Sequence, residues 1–335
     1  MRSKKNVETT KLNAGETLKK EFDNYVDMAT SAVDWTLFCT YQLQPNFSEG
    51  VHKILQLPSM QIASTDMRGG IMFDFVTPEE CITFSVMQNI SQKACIDQMK
   101  LETGMIAVMN DKKIYNFMCS SQVAFLEVSL NKKADPVLIK RLTKAVDHYF
   151  QDPDQKMTEL LKEIIDEYGD GGNTLLDTQT SLQIEEKITK AMLQLLASQE
   201  ASTPHFTKSE RTALKIKKQF FKHMDHKMTV ASLAESHNIS IKSLQNAFKS
   251  LFGITPNHFM RLLKLNLVHH ELVQSTPAQT TVQRVAQKWG FAHMGNFSRY
   301  YKELFGEHPS VTLKTAIPSI DGMKQHCVER QEEMV

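Results

Sequence analysis

Two hydrophobic stripes with the same spacing lie near the C-terminal end of the chain. Ile241, Leu244, Ala247, Phe248, Leu251 and Phe252 return 53 positions later as Met294, Phe297, Tyr300, Tyr301, Leu304 and Phe305. Steps of three, four and one place each set along one face of an α-helix. Gly253 and Gly306 follow at once, where a helix ends on a residue that accepts positive φ. Pro256 and Pro309, behind Thr255 and His308, suit the first turn of a further helix. Upstream, Thr229, Val230, Leu233 and Ala234 return as Thr281, Val282, Val285 and Ala286. Each group is a capping threonine followed by apolar residues on one side of a short helix. The repeat predicts a short helix, a tight turn, a longer helix, a glycine stop and a new helix, twice.

The first two-thirds of the chain has a different period. From Trp35 to Leu130, segments such as WTLFCTYQL, GIMFDFV, CITFSVM and QVAFLEVSL are β-branched or aromatic and separated by turn signals, as in a small all-β barrel or sandwich. Helical patterns follow in VLIKRLTKAVDHYF after Pro136, in MTELLKEIIDEY before the Gly169–Gly172 break, and in SLQIEEKITKAMLQLLA. The apolar face of the last serves either the core or a second copy. QEASTPHFTKSE is polar, contains a proline and reads as a linker. The expected class is α+β. Residues 1–30 form an N-terminal segment and 31–198 a first domain, with strands over 35–130 and helices over 136–198. A linker over 199–207, an all-α domain over 208–315 and a tail over 316–335 complete the division.

Charge divides along the same line. The chain has 39 Lys+Arg against 38 Asp+Glu, yet residues 205–316 hold 16 basic and 6 acidic ones, leaving 23 and 32 to the remainder. A basic domain attached to an acidic one suggests a polyanion partner for the first alone. The five cysteines, at 39, 81, 95, 119 and 327, form no CxxC pair, which fits reduced thiols in a cytoplasmic protein. The start has no apolar run behind its basic residues, so no signal peptide is expected, and no membrane-spanning stretch is present.

The polar faces of the two longer helices carry the candidate chemistry. On the first lie Ser240, Lys242, Ser243, Gln245, Asn246 and Lys249; on the second lie His293, Gly295, Asn296, Ser298, Arg299 and Lys302. Arg can read guanine and Asn or Gln adenine, while Lys249 and Lys302 suit phosphates. The bland alternative is two helical hairpins with solvated faces.

Residues from about 208 to 315 resemble the DNA-binding domain of the AraC/XylS family of transcription regulators. The resemblance lies in VASLAESHNISIKSLQNAFKSLFGITP, in the joining segment NHFMRLLKLNLVHHELV, and in VQRVAQKWGFAHMGNFSRYYKELFGEHPSVTL. Within the family the chain is most similar to regulators of the ethanolamine-utilisation type. The resemblance implies two helix-turn-helix units joined by a long helix, with recognition helices in successive major grooves. Base-facing positions fall on Lys242, Gln245 and Asn246, and on His293, Gly295, Asn296 and Arg299. Ser240, Lys249 and Lys302 take the phosphate positions. Gly295 has no side chain to read a base and admits only close backbone approach.

The resemblance also implies an N-terminal effector and dimerisation domain built as a cupin-like β-barrel. It names double-stranded DNA, RNA polymerase, a small-molecule effector and a second copy of the chain as partners, and no cofactor. Two departures stand out. His237 takes the place of Trp289 in the other unit, as a partly buried neutral residue or a pH sensor. His269 and His270 sit where relatives often carry arginine, either weakening backbone contacts or simply solvated. The alternative reading is a cupin-type enzyme with an accessory nucleic-acid-binding domain. Against it, the barrel has one histidine, His52, and the next, His148, falls in a predicted helix, too few for a metal site. No Gly-rich phosphate loop, GxSxG elbow or carboxylate cluster is present either, so no catalysis is expected. The methionines of the strand region (Met60, Met67, Met72, Met87, Met99, Met105, Met109 and Met118) either line an adaptable pocket or fill the core.

Overall fold

The structure, a computed structural model, describes residues 11–24, 27–28, 31–45, 49–97, 99–171, 175–202, 206–222 and 229–315. The expected tail over 316–335, residues 1–10 of the expected N-terminal segment and residues 203–205 of the expected linker lie outside them. The strands are β1 (Thr17–Phe22), β2 (Thr36–Gln42), β3 (Glu49–Gln56), β4 (Met60–Arg68), β5 (Ile71–Val76), β6 (Cys81–Ile90), β7 (Ala94–Ile96), β8 (Met99–Leu101), β9 (Met105–Asn110), β10 (Tyr115–Cys119), β11 (Val123–Asn131) and β12 (Tyr149–Gln151). They form a seven-stranded sheet, β1-β3-β4-β11-β6-β9-β12, and a five-stranded sheet, β2-β5-β10-β7-β8. Every strand pairing is antiparallel.

Both sheets are open: hydrogen bonding does not close them into the expected barrel. They instead share a core, in which Phe73, Phe75 and Phe117 of the small sheet meet Met67, Met87 and Met109 of the large one. The strand region is also longer than expected, because β1 lies inside 1–30 and pairs with β3 over its whole length.

Three helices cover the outer face of the large sheet: α1 (Pro136–Ala145), α2 (Lys156–Tyr168) and α3 (Thr178–Ser198). The alternation of β11 explains the two faces. Leu126, Val128 and Leu130 pack with Leu142, Leu161 and Ile188 of the helices, while Val123 and Phe125 point to the other sheet. α1 ends at Ala145, so the expected helix through His148 is not formed. Asp147 turns the chain at φ 66°, and Tyr149–Gln151 pair with β9 as an edge strand. Tertiary pairing outweighs the local helical pattern there. The beginning of the expected linker is also tied down, since Ser202 exchanges backbone hydrogen bonds with Tyr149.

The helical half comprises α4 (Lys208–Lys222), α5 (Val230–Ser236), α6 (Ile241–Phe252), α7 (Pro256–Val273), α8 (Val282–Lys288), α9 (Met294–Phe305) and α10 (Pro309–Thr315). Its core contains Phe220, Phe248, Phe259, Phe297 and Tyr301, and continues into Tyr41, Leu43, Met72, Cys95 and Met118 of the small sheet. That sheet therefore has two apolar faces. On β5, Phe73 and Phe75 face the large sheet and Met72 faces the helices; on β10, Phe117 and Met118 divide the same way.

Polar contacts reinforce this junction. The fully buried Asn266 of α7 accepts from the Gln42 backbone N–H at 2.7 Å and donates to the Gln42 carbonyl at 2.8 Å. Gln42 Nε2 donates to the Leu304 carbonyl at 2.7 Å, near the end of α9. Lys217 Nζ of α4 donates to Asn116 Oδ1 at 2.6 Å. Glu210 joins Lys100 of β8 to Ser250 of α6. Burial works against its charge, but these donors and Thr207 hold its carboxyl down to about 2.

Candidate nucleic-acid interface

The two predicted helix-turn-helix units form, and their turns match bond for bond. Thr229 and Thr281 cap α5 and α8 by accepting from Ser232 N and Arg284 N. His237 N and Trp289 N donate to the carbonyls of Leu233 and Val285. Ile239 N and Phe291 N then reach back to Ala234 and Ala286, each at 3.0 Å. The turn needs a residue in the left-handed region, met by Asn238 (φ 52°) in one unit and Gly290 (φ 85°) in the other. α6 and α9 both stop on left-handed glycines, Gly253 and Gly306, as the sequence predicts.

Burial fixes which faces point outward. Leu244, Phe248, Leu251 and Phe252 of α6, and Phe297, Tyr301 and Leu304 of α9, are buried. Lys242, Asn246 and Lys249 are exposed and Gln245 is half-buried on the opposite side of α6. Along α9, Gly295, Asn296, Arg299 and Lys302 are exposed, with His293 at the N-cap. Every base-facing and phosphate position expected from the sequence thus lies on an outward face of one of these helices or at its cap.

Their chemical availability differs. Ser240 Oγ accepts from Ser243 N at 3.0 Å as the cap of α6 and shares a second hydrogen bond with the Ser243 hydroxyl at 2.9 Å, so it is already engaged within the helix. Arg299 Nε lies 3.8 Å from Glu303 Oε1, beyond a hydrogen bond, and its guanidinium lies over Tyr300 with 5.0 Å to the ring centre. Its fork therefore remains open to an external acceptor. A Cβ built on Gly295 would meet nothing within 4 Å, so no packing requires glycine there. Arg284, exposed beside the Thr281 cap, is a further cation on this side of the second unit. Its signal was its position, 52 residues after Ser232 in the repeat.

His237 is partly buried, as one of its two expected readings had it, while His269 and His270 depart from theirs. His237 Nε2 lies 2.9 Å from Gln219 Oε1, half-buried between α5 and α4. His269 and His270 are half-buried and packed against other rings, not freely solvated. His269 stacks on Phe305 at 4.2 Å and has Nδ1 2.7 Å from the Tyr301 hydroxyl. His270 packs against Tyr41 at 5.7 Å, on the junction with the small sheet. Burial pushes them down, to about 3 and about 4, so both are neutral and serve packing rather than phosphate contact.

A short helix, a left-handed turn and an amphipathic second helix with a polar outer face define a helix-turn-helix DNA-binding domain, here in duplicate. Residues 233–315 match a family profile described as a helix-turn-helix domain. The probable thc operon regulatory protein of Rhodococcus erythropolis is 36% identical over 93 residues, covering 28% of each chain. The XylDLEGF operon transcriptional activator of Pseudomonas putida is 28% identical over 127 residues, or 38% of this chain and 39% of that one. An activator 2 of the same operon is 34% identical over 105 residues, 31% of this chain and 62% of that one. The chain thus spans less than two-thirds of each of these relatives. The AraC-like transcriptional activator CuxR has a similar structure at TM-score 0.43 and 9% identity, over 81% of this chain and 99% of that one. The helical half thus carries a helix-turn-helix domain and is similar in sequence to part of each of these operon regulators.

Proposed function

We propose that the whole chain is a sequence-specific, DNA-binding transcription regulator, and an activator, rather than an enzyme. One observation carries the reading: two helix-turn-helix units with matching turn hydrogen bonds each present an outer face of amides and cations. Lys242, Gln245, Asn246, His293, Asn296 and Arg299 read base edges, and Gly295 allows close approach of the duplex. Lys249, Lys302 and the Ser240 hydroxyl contact phosphates. α7 holds the two units apart; its 18 residues span about 27 Å at 1.5 Å each. Successive major grooves on one face of B-DNA lie roughly 34 Å apart.

In the same proposal the first half is a cupin-like sensing domain, in which the two facing sheets enclose an effector site. Its occupancy biases the helical half through the junction at Asn266 and Gln42. RNA polymerase and a second copy of the chain are the protein partners, and the cytoplasm is the compartment. No helix among the described residues is long and apolar enough to cross a membrane. Relatives named as operon activators and the basic helical half both support the reading.

Selection of binding sites from random duplex DNA by the full-length protein at physiological salt tests it. Enrichment of two short elements one helical turn apart is the expected result. Salt-sensitive binding without enrichment would reduce the domain to a nonspecific one and end the regulator reading.

A further inference from the structure

Between the two sheets lies a cavity of about 60 Å³. Its two walls differ in chemistry. The small sheet and the segment before it contribute aromatic rings: Phe73 and Phe117 with centres 5.1 Å apart, and Trp35 and Phe75 at 5.7 Å. The large sheet contributes a polar strip within an otherwise apolar face, with Gln61, Thr65, Ser85 and Glu127 all lining the cavity. Strand register explains the strip. Glu127 of β11 sits opposite Ala63 of β4 and Ser85 of β6, and Gln61 lies two residues from Ala63 on the same face. Gln61 and Glu127 are therefore diagonal neighbours, with backbones roughly 7–8 Å apart and side chains able to converge.

These groups are buried and under-partnered. Glu127 is 8% exposed, and its carboxyl has one hydrogen-bond partner among the described residues, the Ser85 hydroxyl at 3.3 Å. Gln61 is 5% exposed; its Nε2 has protein acceptors, while Oε1 has no partner among the described residues. Buried oxygens without donors are costly in a folded core and call for an explanation. Among the described residues no lysine or arginine lines the cavity, and the titratable groups that do are Glu127 and His52. His52 is neutral, because burial pushes it down to about 4.

We infer that this cavity is the effector site and that its ligand is a small organic cation, an ammonium on a short apolar body. The ammonium would donate to Glu127 and to Gln61 Oε1, while the body lies against Phe73, Phe117 and Trp35. Aromatic faces and a carboxylate both attract a desolvated cation. Burial pushes the Glu127 carboxyl up to about 8, so without a ligand it is protonated and a neutral alcohol gains only a neutral hydrogen bond. An ammonium pairs with its ionised form, whereas an anionic ligand would find no counter-charge there. The cavity is smaller than the 150 Å³ that houses a benzene ring, so the body is a few carbons long. Met67, Met87 and Met109 in the lining give it room to adjust. This inference deepens the sensing part of the proposed function and rests on it.

Calorimetric titration of the full-length protein, without DNA, compares n-propylammonium, n-propanol and propionate, with Trp35 emission as a second readout. Binding of propylammonium at least about tenfold tighter than the other two is expected, with that preference lost in Glu127→Gln. Affinity for propylammonium in the unaltered protein should also rise with pH, because the buried carboxyl releases a proton on pairing; this readout needs no variant. Equal binding of propanol, preference for propionate, absence of saturable propylammonium binding, an unchanged Glu127→Gln, or a pH-independent affinity would each overturn the inference. DNA plays no part in the titration, so a failed site selection would sink the regulator reading and leave the cation result standing, and the reverse.

Discussion

Asn266→Leu should uncouple the two halves of the molecule. Asn266 acts as a strand partner: it accepts from the N–H and donates to the C=O of Gln42, on the free edge of β2. Leucine fills nearly the same volume but supplies neither group, so two buried backbone groups lose their partners. At about 1–3 kcal/mol for each orphaned group, the junction loses about 2–6 kcal/mol. Gln42 also loses the alignment that lets its side chain reach the Leu304 carbonyl. Trp35 and Trp289 report on the two halves separately, so urea unfolding followed in Trp35→Phe and Trp289→Phe backgrounds resolves the effect. Both tryptophans should report a single coincident transition in the parent protein, because the helical core continues into the small sheet. In Asn266→Leu the two transitions should separate, the Trp289 signal moving to lower urea. Coincident transitions shifted by less than about 0.5 kcal/mol would refute the idea that this side chain holds the junction.

Four further outcomes are expected. Arg299→Ala should weaken specific binding by about 1–3 kcal/mol and relax preference at one base position; an equal loss on all sequences in a binding assay would make it a phosphate contact. Lys249→Ala should weaken binding to every sequence alike and flatten the slope of affinity against salt by about one unit, which titration at several ionic strengths checks. Gly295→Ala should leave folding intact or stabilise α9 by about 1 kcal/mol, since its site is open. A loss of DNA affinity on top of that would show that the duplex comes close there, and unchanged affinity would remove Gly295 from the interface. Acidification should destabilise the protein from about pH 6.5 downward to about pH 4. His269 and His270 ionise at about 3 and about 4 when folded and near 6.5 when unfolded, so the unfolded chain binds the extra protons. Thermal unfolding across that range that shows no such decline would contradict the packed, neutral assignment.

The helical half was legible because its information is local and repeated. Capping threonines, the apolar stripes and the two stop glycines fix α5 to α10 nearly to the residue, and the outward faces follow from the stripes. What the sequence hid depends on partners far along the chain. His269 and His270 look like surface residues until Phe305 and Tyr41 are placed against them. Tyr149–Gln151 follow a helical pattern but pair with β9. The cavity did leave a trace in QVAFLEVSL, where alternation puts Glu127 on the same side as Val123 and Phe125. A carboxylate in a buried apolar register is a local inconsistency of the kind that marks a functional site.

The small sheet is a party wall. Along β5 and β10, alternate residues look into the cavity and the residues between them look onto the DNA-binding half, one peptide's thickness away. The two surfaces therefore cannot be inherited separately. Grafting a foreign sensing half onto these recognition helices would transplant a cavity but discard Tyr41, Met72, Cys95 and Met118, on which the helical core closes. A chimera that is to respond to a new compound has to keep every second residue of the old wall and exchange only the others.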